Sequence, residues 1–192
     1  MGAIRQALLL LIETLFDLYI GIVLLRFIFQ CFRLDFYNPF SQALVKATNP
    51  ILVPLRRYIP GYGGLDLSSV ILLLLLKVTE LLLIYFIKLA TIPNIVGIVL
   101  LSISALLAQT INIFFFSILI VVLFSWINPH GLQGPLGSLI SQLIQPIMRP
   151  ARKLIPPMGG IDVSPIIAML ILQLSNILLI TPLQDLAFNN LK

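Results

Sequence analysis

One stretch of this chain occurs twice at a fixed interval. Residues 49–71, NPILVPLRRYIPGYGGLDLSSVI, return as QPIMRPARKLIPPMGGIDVSPII at 145–167, an offset of 96 (146 minus 50 for the first proline). Pro50 pairs with Pro146, Pro54 with Pro150, Arg56 with Arg152, Pro60 with Pro156, Gly63-Gly64 with Gly159-Gly160, Asp66 with Asp162 and Ser68 with Ser164. That many fixed positions at one spacing mean one structural unit used twice in 192 residues. The fold must therefore be assembled from two equivalent halves, placed at residues 1–94 and 95–192.

Between the copies the sequence is almost uninterrupted hydrocarbon. Apolar residues make up 59% of the chain and charged ones 10%, where a soluble domain carries about 25% charge. Mean hydropathy is +1.09. Runs of this length cannot be hidden from water in one small core, so the expected class is an all-α polytopic membrane protein. Four transmembrane helices are predicted, at 4–33, 66–91, 95–127 and 162–187. The last is weakened at Pro182, and its secure part ends at Thr181. Thr91-Ile92-Pro93-Asn94 reads as a turn between the halves. The first apolar run continues too far for a cleaved signal peptide and is expected to be a span.

Two spans per half return the chain to its starting side. The repeats are therefore parallel, related by a pseudo-twofold axis along the membrane normal, and both linkers share one face. Arg33, Lys46, Arg56, Arg57, Arg149, Arg152 and Lys153 fall on the linkers, against Arg5 and Lys192 on the opposite side. Short basic loops stay in the cytoplasm, which puts both termini across the membrane from it.

Each linker carries a helical signal at 39–60 and 135–156. After Asn38-Pro39, a cap and first helical position, Phe40, Ala43, Leu44 and Ala47 recur on one face. Leu136, Leu139, Ile140, Leu143 and Ile144 do so after Pro135. A helix of about ten residues is too short to span and is expected to lie amphipathically in the interface. The prolines four apart should prevent a longer regular helix, and Pro60 with Gly63-Gly64, like Pro156 with Gly159-Gly160, should turn the chain back into the bilayer.

Asp66 and Asp162 stand immediately before the second and fourth spans, where a carboxylate caps free backbone N–H groups and meets the positive end of the helix dipole. The pairs Arg56-Arg57 and Arg152-Lys153 have two readings. They fix topology, or they bind lipid phosphates or an acidic partner surface.

The halves differ inside the spans. Lys77 and Glu80 become Gln173 and Asn176 at the same offset, and at a shift of 95 Asp17 becomes Asn112 and Arg26 becomes Val121. Lys77 lies about 15 Å and Glu80 about 20 Å into the second span, beyond easy snorkelling, with Asp17 at a matching depth. Asp17, Arg26, Lys77 and Glu80 thus form a candidate intramembrane charge cluster. It is either an ion-paired glue between spans or, with Glu13 adding a further acid, part of a path for an ion or proton.

Enzymatic chemistry finds no support. With one histidine, His130, and one cysteine, Cys31, a His-based triad has no obvious companion, a His/Cys zinc site lacks ligands, and bis-histidine haem ligation is impossible. No phosphate-binding glycine motif is present. No cofactor, metal or nucleic acid is expected; basic residues beside apolar spans suit anionic phospholipid, with a homo-oligomer or another membrane protein as the protein partner.

The pattern FYNPF…NPILVPLRRYIP…GGLD, returning as SWINP…QPIMRPARKLIPPMGGIDVSP, resembles the YggT (YlmG) family of bacterial inner membranes and plastids, across the whole chain and in its two-copy form. The resemblance implies a bacterial inner-membrane location with periplasmic termini, and a link to osmotic-shock tolerance and ion homeostasis. Relatives near cell-division genes, or tied to nucleoid distribution and cytochrome assembly in plastids, define no chemistry. Two classes of function remain: a structural or assembly protein that binds lipid or a partner, and a channel or carrier.

Overall fold

The computed structural model describes residues 2–62, 64–89, 93–155 and 162–191. Among these residues six long helices run in chain order: α1 (Ala3–Cys31), α2 (Pro39–Tyr58), α3 (Leu67–Leu89), α4 (Ile95–Ile127), α5 (Pro135–Leu154) and α6 (Ser164–Asn190). Among the described residues there is no strand, only an isolated bridge between Tyr62 and Leu65. Helices α1, α3, α4 and α6 are long and apolar enough to cross a membrane. Their outer surfaces carry Leu18, Phe86, Leu178 and many similar side chains in the open, the pattern of a surface solvated by hydrocarbon.

Helix α1 packs on α3 and α4 on the C-terminal part of α6, while α3 against α4 joins the halves. The linker helices sit alike, α2 on α1 and α3, α5 on α4 and α6. All six helices meet in one core that includes Ile20, Leu52, Leu72, Ile118, Leu143 and Ala168. Lipid is as apolar as leucine, so helices in a bilayer associate through close packing and polar links more than by escape from solvent. Small buried residues supply the former: Ser102 and Ser117 of α4 turn their hydroxyls onto the Ile98 and Ile113 carbonyls at 2.8 and 2.7 Å, which lets neighbours approach without an unsatisfied donor.

The linkers differ from expectation. Instead of short helices broken by proline, α2 and α5 are each continuous over 20 residues, through Pro50 and Pro54 in one and Pro146 and Pro150 in the other. Prolines four apart fall on the same helical face, so the missing N–H groups and ring clashes are confined to one side. All four prolines lie on the exposed side, while Thr48 and Leu52, or Leu143, Ile144 and Met148, face the core. The released carbonyls therefore open outward, and the packed side keeps its hydrogen bonds. Asn38 accepts the Phe40 N–H at 3.0 Å with Pro39 in the first turn, and its amide donates to the Pro135 carbonyl at 2.8 Å. That bond ties the starts of the two linkers together and puts both at the same end of the bundle.

Helix α6 also runs beyond its predicted end, to Asn190. A single π-turn at Asn176–Ile180 precedes Thr181-Pro182, and the widened turn places Pro182 in the first turn of the helical stretch that follows, where a proline needs no N–H partner. The turns expected around Thr91-Ile92, Gly63 and Pro156 to Gly160 fall outside the described residues.

Candidate functional site

The end of the bundle where the linkers lie is built by two similar latches. In the last turn of α2, Arg56 donates to Asp66, with Nε 3.4 Å from Oδ1 and a closer second bond to Oδ2. In the last turn of α5, Arg152 Nε lies 3.1 Å from Asp162 Oδ2. Each latch fastens the end of a linker helix to the start of the next span. Asp66 also accepts the Ser69 hydroxyl at 2.6 Å, and the Ser68 hydroxyl donates to the Ile59 carbonyl at 2.5 Å. In the second half α6 starts at Ser164, so Val163 takes the cap position and Asp162 stands one residue ahead of it, accepting the Ser164 N–H at 3.0 Å.

Burial alone would push the Asp66 carboxyl up, but the Arg56 and Ser69 hydrogen bonds and the Arg56 charge more than offset it and hold the group below the ordinary carboxylate range. Burial likewise pushes Asp162 up less than Ser164 and Arg152 bring it down. Two of the four candidate lipid-binding cations, Arg56 and Arg152, are thus engaged by carboxylates of their own chain. Arg57 and Lys153 remain exposed, together with Lys46 and Arg149. The shared Arg-to-Asp spacing of ten residues in both copies was the available signal for these pairs.

Deeper in the bundle, Lys77 of α3 joins α1 to α3. Its ammonium lies 2.9 Å from Asp17 Oδ1 and 2.9 Å from Glu80 Oε2. The Glu80 carboxylate is almost fully enclosed, whereas Asp17 is half exposed at the bundle surface. One cation between two carboxylates leaves a formal charge of −1. Towards the opposite end Lys88 approaches Glu13 at 3.7 Å, and Arg5 donates to the Ile87 carbonyl.

Arg26, grouped with those charges by sequence, belongs elsewhere. It lies nine residues beyond Asp17 on α1, about 13 Å along the axis, and turns towards α2, where its guanidinium donates to Thr48 Oγ1. Only 7% of the residue is exposed. It lines a cavity of about 770 Å³ between the last turns of α1, the side of α2 and residues 60–66. Arg33, Arg56 and Asp66 share that lining with apolar groups such as Phe29 and Leu44. At its edge Gly64, at φ +85°, lets Tyr62 and Leu65 pair through backbone bonds of 3.1 and 3.0 Å. The cavity lining does not include Asp17, Lys77 or Glu80.

Fold and site together define a helical membrane-type protein of two parallel repeats, latched alike at one end, in which the buried charges among the described residues all belong to the first repeat. The family model CCB3/YggT matches twice, at residues 5–87 and 100–183, and the chain belongs to that family. A Pseudomonas aeruginosa protein is 42% identical over 95% of this chain and 93% of its own, and YggT of Escherichia coli K12 is 39% identical over 86% and 85%. A Vibrio alginolyticus relative is 38% identical over 88% and 91%. All three are described as uncharacterized. No solved structure matches.

Proposed function

We propose that this protein is a non-enzymatic inner-membrane protein whose linker end docks on anionic phospholipid, with the α2 and α5 helices lying amphipathically in the cytoplasmic interface and the termini periplasmic. The observation that carries this reading is the composition of one end. Lys46, Arg57, Arg149 and Lys153 are exposed there on two helices whose apolar faces are already used by the core. Around them stand Tyr37, Tyr58, Tyr62 and Trp126, each at least 80% exposed. Tyrosine and tryptophan concentrate at headgroup level, where a ring can be half in hydrocarbon and half in water. Lys88 joins Arg5 at the opposite end, which narrows the charge asymmetry without reversing it.

The absence of a second histidine or cysteine supports a role without catalysis. The Lys77 triad acts as glue between α1 and α3, since each of its charges has a partner within 3 Å. Family resemblance supplies osmotic shock as the physiological setting. The test replaces Lys46, Arg57, Arg149 and Lys153 together by Gln in the purified full chain. Retention of acidic phospholipid should fall, by about 1 kcal/mol for each charge removed near an anionic surface. Unchanged retention would sink the lipid reading. Orientation is checked separately with cysteines at the termini of a Cys31→Ser variant, which should react with an impermeant reagent from the periplasm and not from the cytoplasm.

A further inference from the structure

Arg26 is a buried cation in an unusual position. A guanidinium carries five N–H donors, yet among the described residues its one side-chain hydrogen bond goes to the neutral Thr48 hydroxyl and no carboxylate pairs with it. Thr48 in turn donates to the Leu44 carbonyl at 2.7 Å, so it offers no charge in return. A cation held within the last turns of an apolar span without a counter-ion is costly. Arg26 lines the cavity, whose other charged walls are Arg33, Arg56 and Asp66. Three guanidinium groups and one carboxylate leave a surplus of two positive charges.

Arg33 adds a second, independent sign. It follows α1 in the left-handed conformation, φ +52°, closing the helix with Arg33 N–H on the Gln30 carbonyl and Leu34 N–H on the Phe29 carbonyl at 3.1 and 2.9 Å. This is the position of a helix terminus that glycine fills most easily, and a β-carbon there is strained. An arginine in glycine's place sets its side chain at the cavity wall at the expense of backbone ease.

We propose that this cavity is a specific site for one phosphate-bearing anion, its phosphate held between Arg26 and Arg33 and any attached hydrocarbon lying along Phe29 and Leu44. Arg56, held by Asp66, frames the site and contributes its charge. A volume of about 770 Å³ lies within the range of ligand pockets. Guanidinium forks match phosphate oxygens in paired hydrogen bonds, which gives a single saturable site where scattered surface charge gives graded binding. The first half alone carries it, because Val121 stands at the place of Arg26 in the second. The site rests on the reading that this end meets anionic headgroups, and it is separable from it.

The experiment measures bound adducts by native mass spectrometry, together with thermal shift, on the full chain in detergent. The probes are short-chain phosphatidylglycerol and inorganic phosphate. The parent should hold one tight adduct that saturates, and Arg33→Gly should bind about tenfold more weakly while melting no earlier, since glycine relieves the left-handed backbone. Arg26→Gln should weaken the adduct likewise. A variant with Lys46, Arg57, Arg149 and Lys153 replaced by Gln should keep the single tight adduct while losing the weaker, unsaturated binding. Stabilisation by phosphatidylglycerol alone identifies a lipid headgroup as the source, and equal competition by inorganic phosphate identifies the free anion. An undiminished adduct in Arg33→Gly, stabilisation by neither probe, or loss of the tight adduct in the surface variant would overturn the site. The surface reading fails separately if that variant keeps its weaker binding.

Discussion

The two halves of this molecule agree at one end and part company in the middle. Both close a linker helix onto the next span with an arginine and an aspartate ten residues apart. Inside the bundle the first half holds Lys77 between Asp17 and Glu80, whereas the second has Gln173 and Asn176, with a π-turn beginning at Asn176. Duplication supplied one scaffold, and only one copy kept charge in its interior. What the two share is needed to fold a linker; what they do not share points to a task that one copy suffices to perform. The same asymmetry recurs at Arg26 and Val121.

The largest effect should come from breaking the triad. Lys77→Gln strands the enclosed Glu80 carboxylate, leaves the half-exposed Asp17 without its partner and should cost about 3 kcal/mol in detergent unfolding. Asp17→Asn, Lys77→Gln and Glu80→Asn together, which carry the first half towards the second, should recover most of that loss. If Lys77→Gln melts with the parent, the triad does not hold α1 to α3. The reverse exchange, Gln173→Lys, places a lone cation where no acid faces it and should cost about 3 kcal/mol. No loss there would mean that the second half already has a wet or acidic lining.

The latches should separate next. The Asp66 side chain is 3% exposed and that of Asp162 32%. Asp66→Asn should therefore cost about 2 kcal/mol, and Asp162→Asn under about 1 kcal/mol, because an exposed pair gains little. Asp66 is held below its unfolded value, so its contribution is complete above about pH 4 and disappears as pH falls through the lower folded value. A titration of melting temperature should show an acid-side decline that is shallower in Asp66→Asn. Smallest of all, Pro50→Ala or Pro146→Ala should change stability by less than about 1 kcal/mol, with a slight gain as the helix recovers an N–H. A large loss in either would show that the proline face is packed.

The spans were legible because continuous apolar runs have few other fates, and the end of α4 at Ile127 could be read from the chain alone. The length of α2 and α5 was not. A single proline rule predicts a break, and only the placement of all four rings on one exposed face explains why the helices persist. Depth along a helix could place Asp17 beside Lys77, because both lie on spans that run antiparallel within one half. It could not show which way Arg26 turns, since that depends on where α2 crosses α1. The latches were visible as a spacing, yet a conserved offset between an arginine and an aspartate carries no direction until the linker between them is folded.

Those prolines have a meaning for how the chain enters the bilayer. Twenty residues of helix is the length that crosses hydrocarbon, but α2 carries Lys46, Arg56 and Arg57, α5 carries Arg149, Arg152 and Lys153, and neither is apolar enough to span. Each helix also carries two carbonyls whose usual N–H donor a proline has removed. In lipid, with no water and no neighbouring donor, each would cost several kcal/mol. The proline pairs therefore reinforce what those charges already impose. They keep the number of crossings in each half at two, so that the second half begins on the same side as the first and the duplicated latches close at the same end.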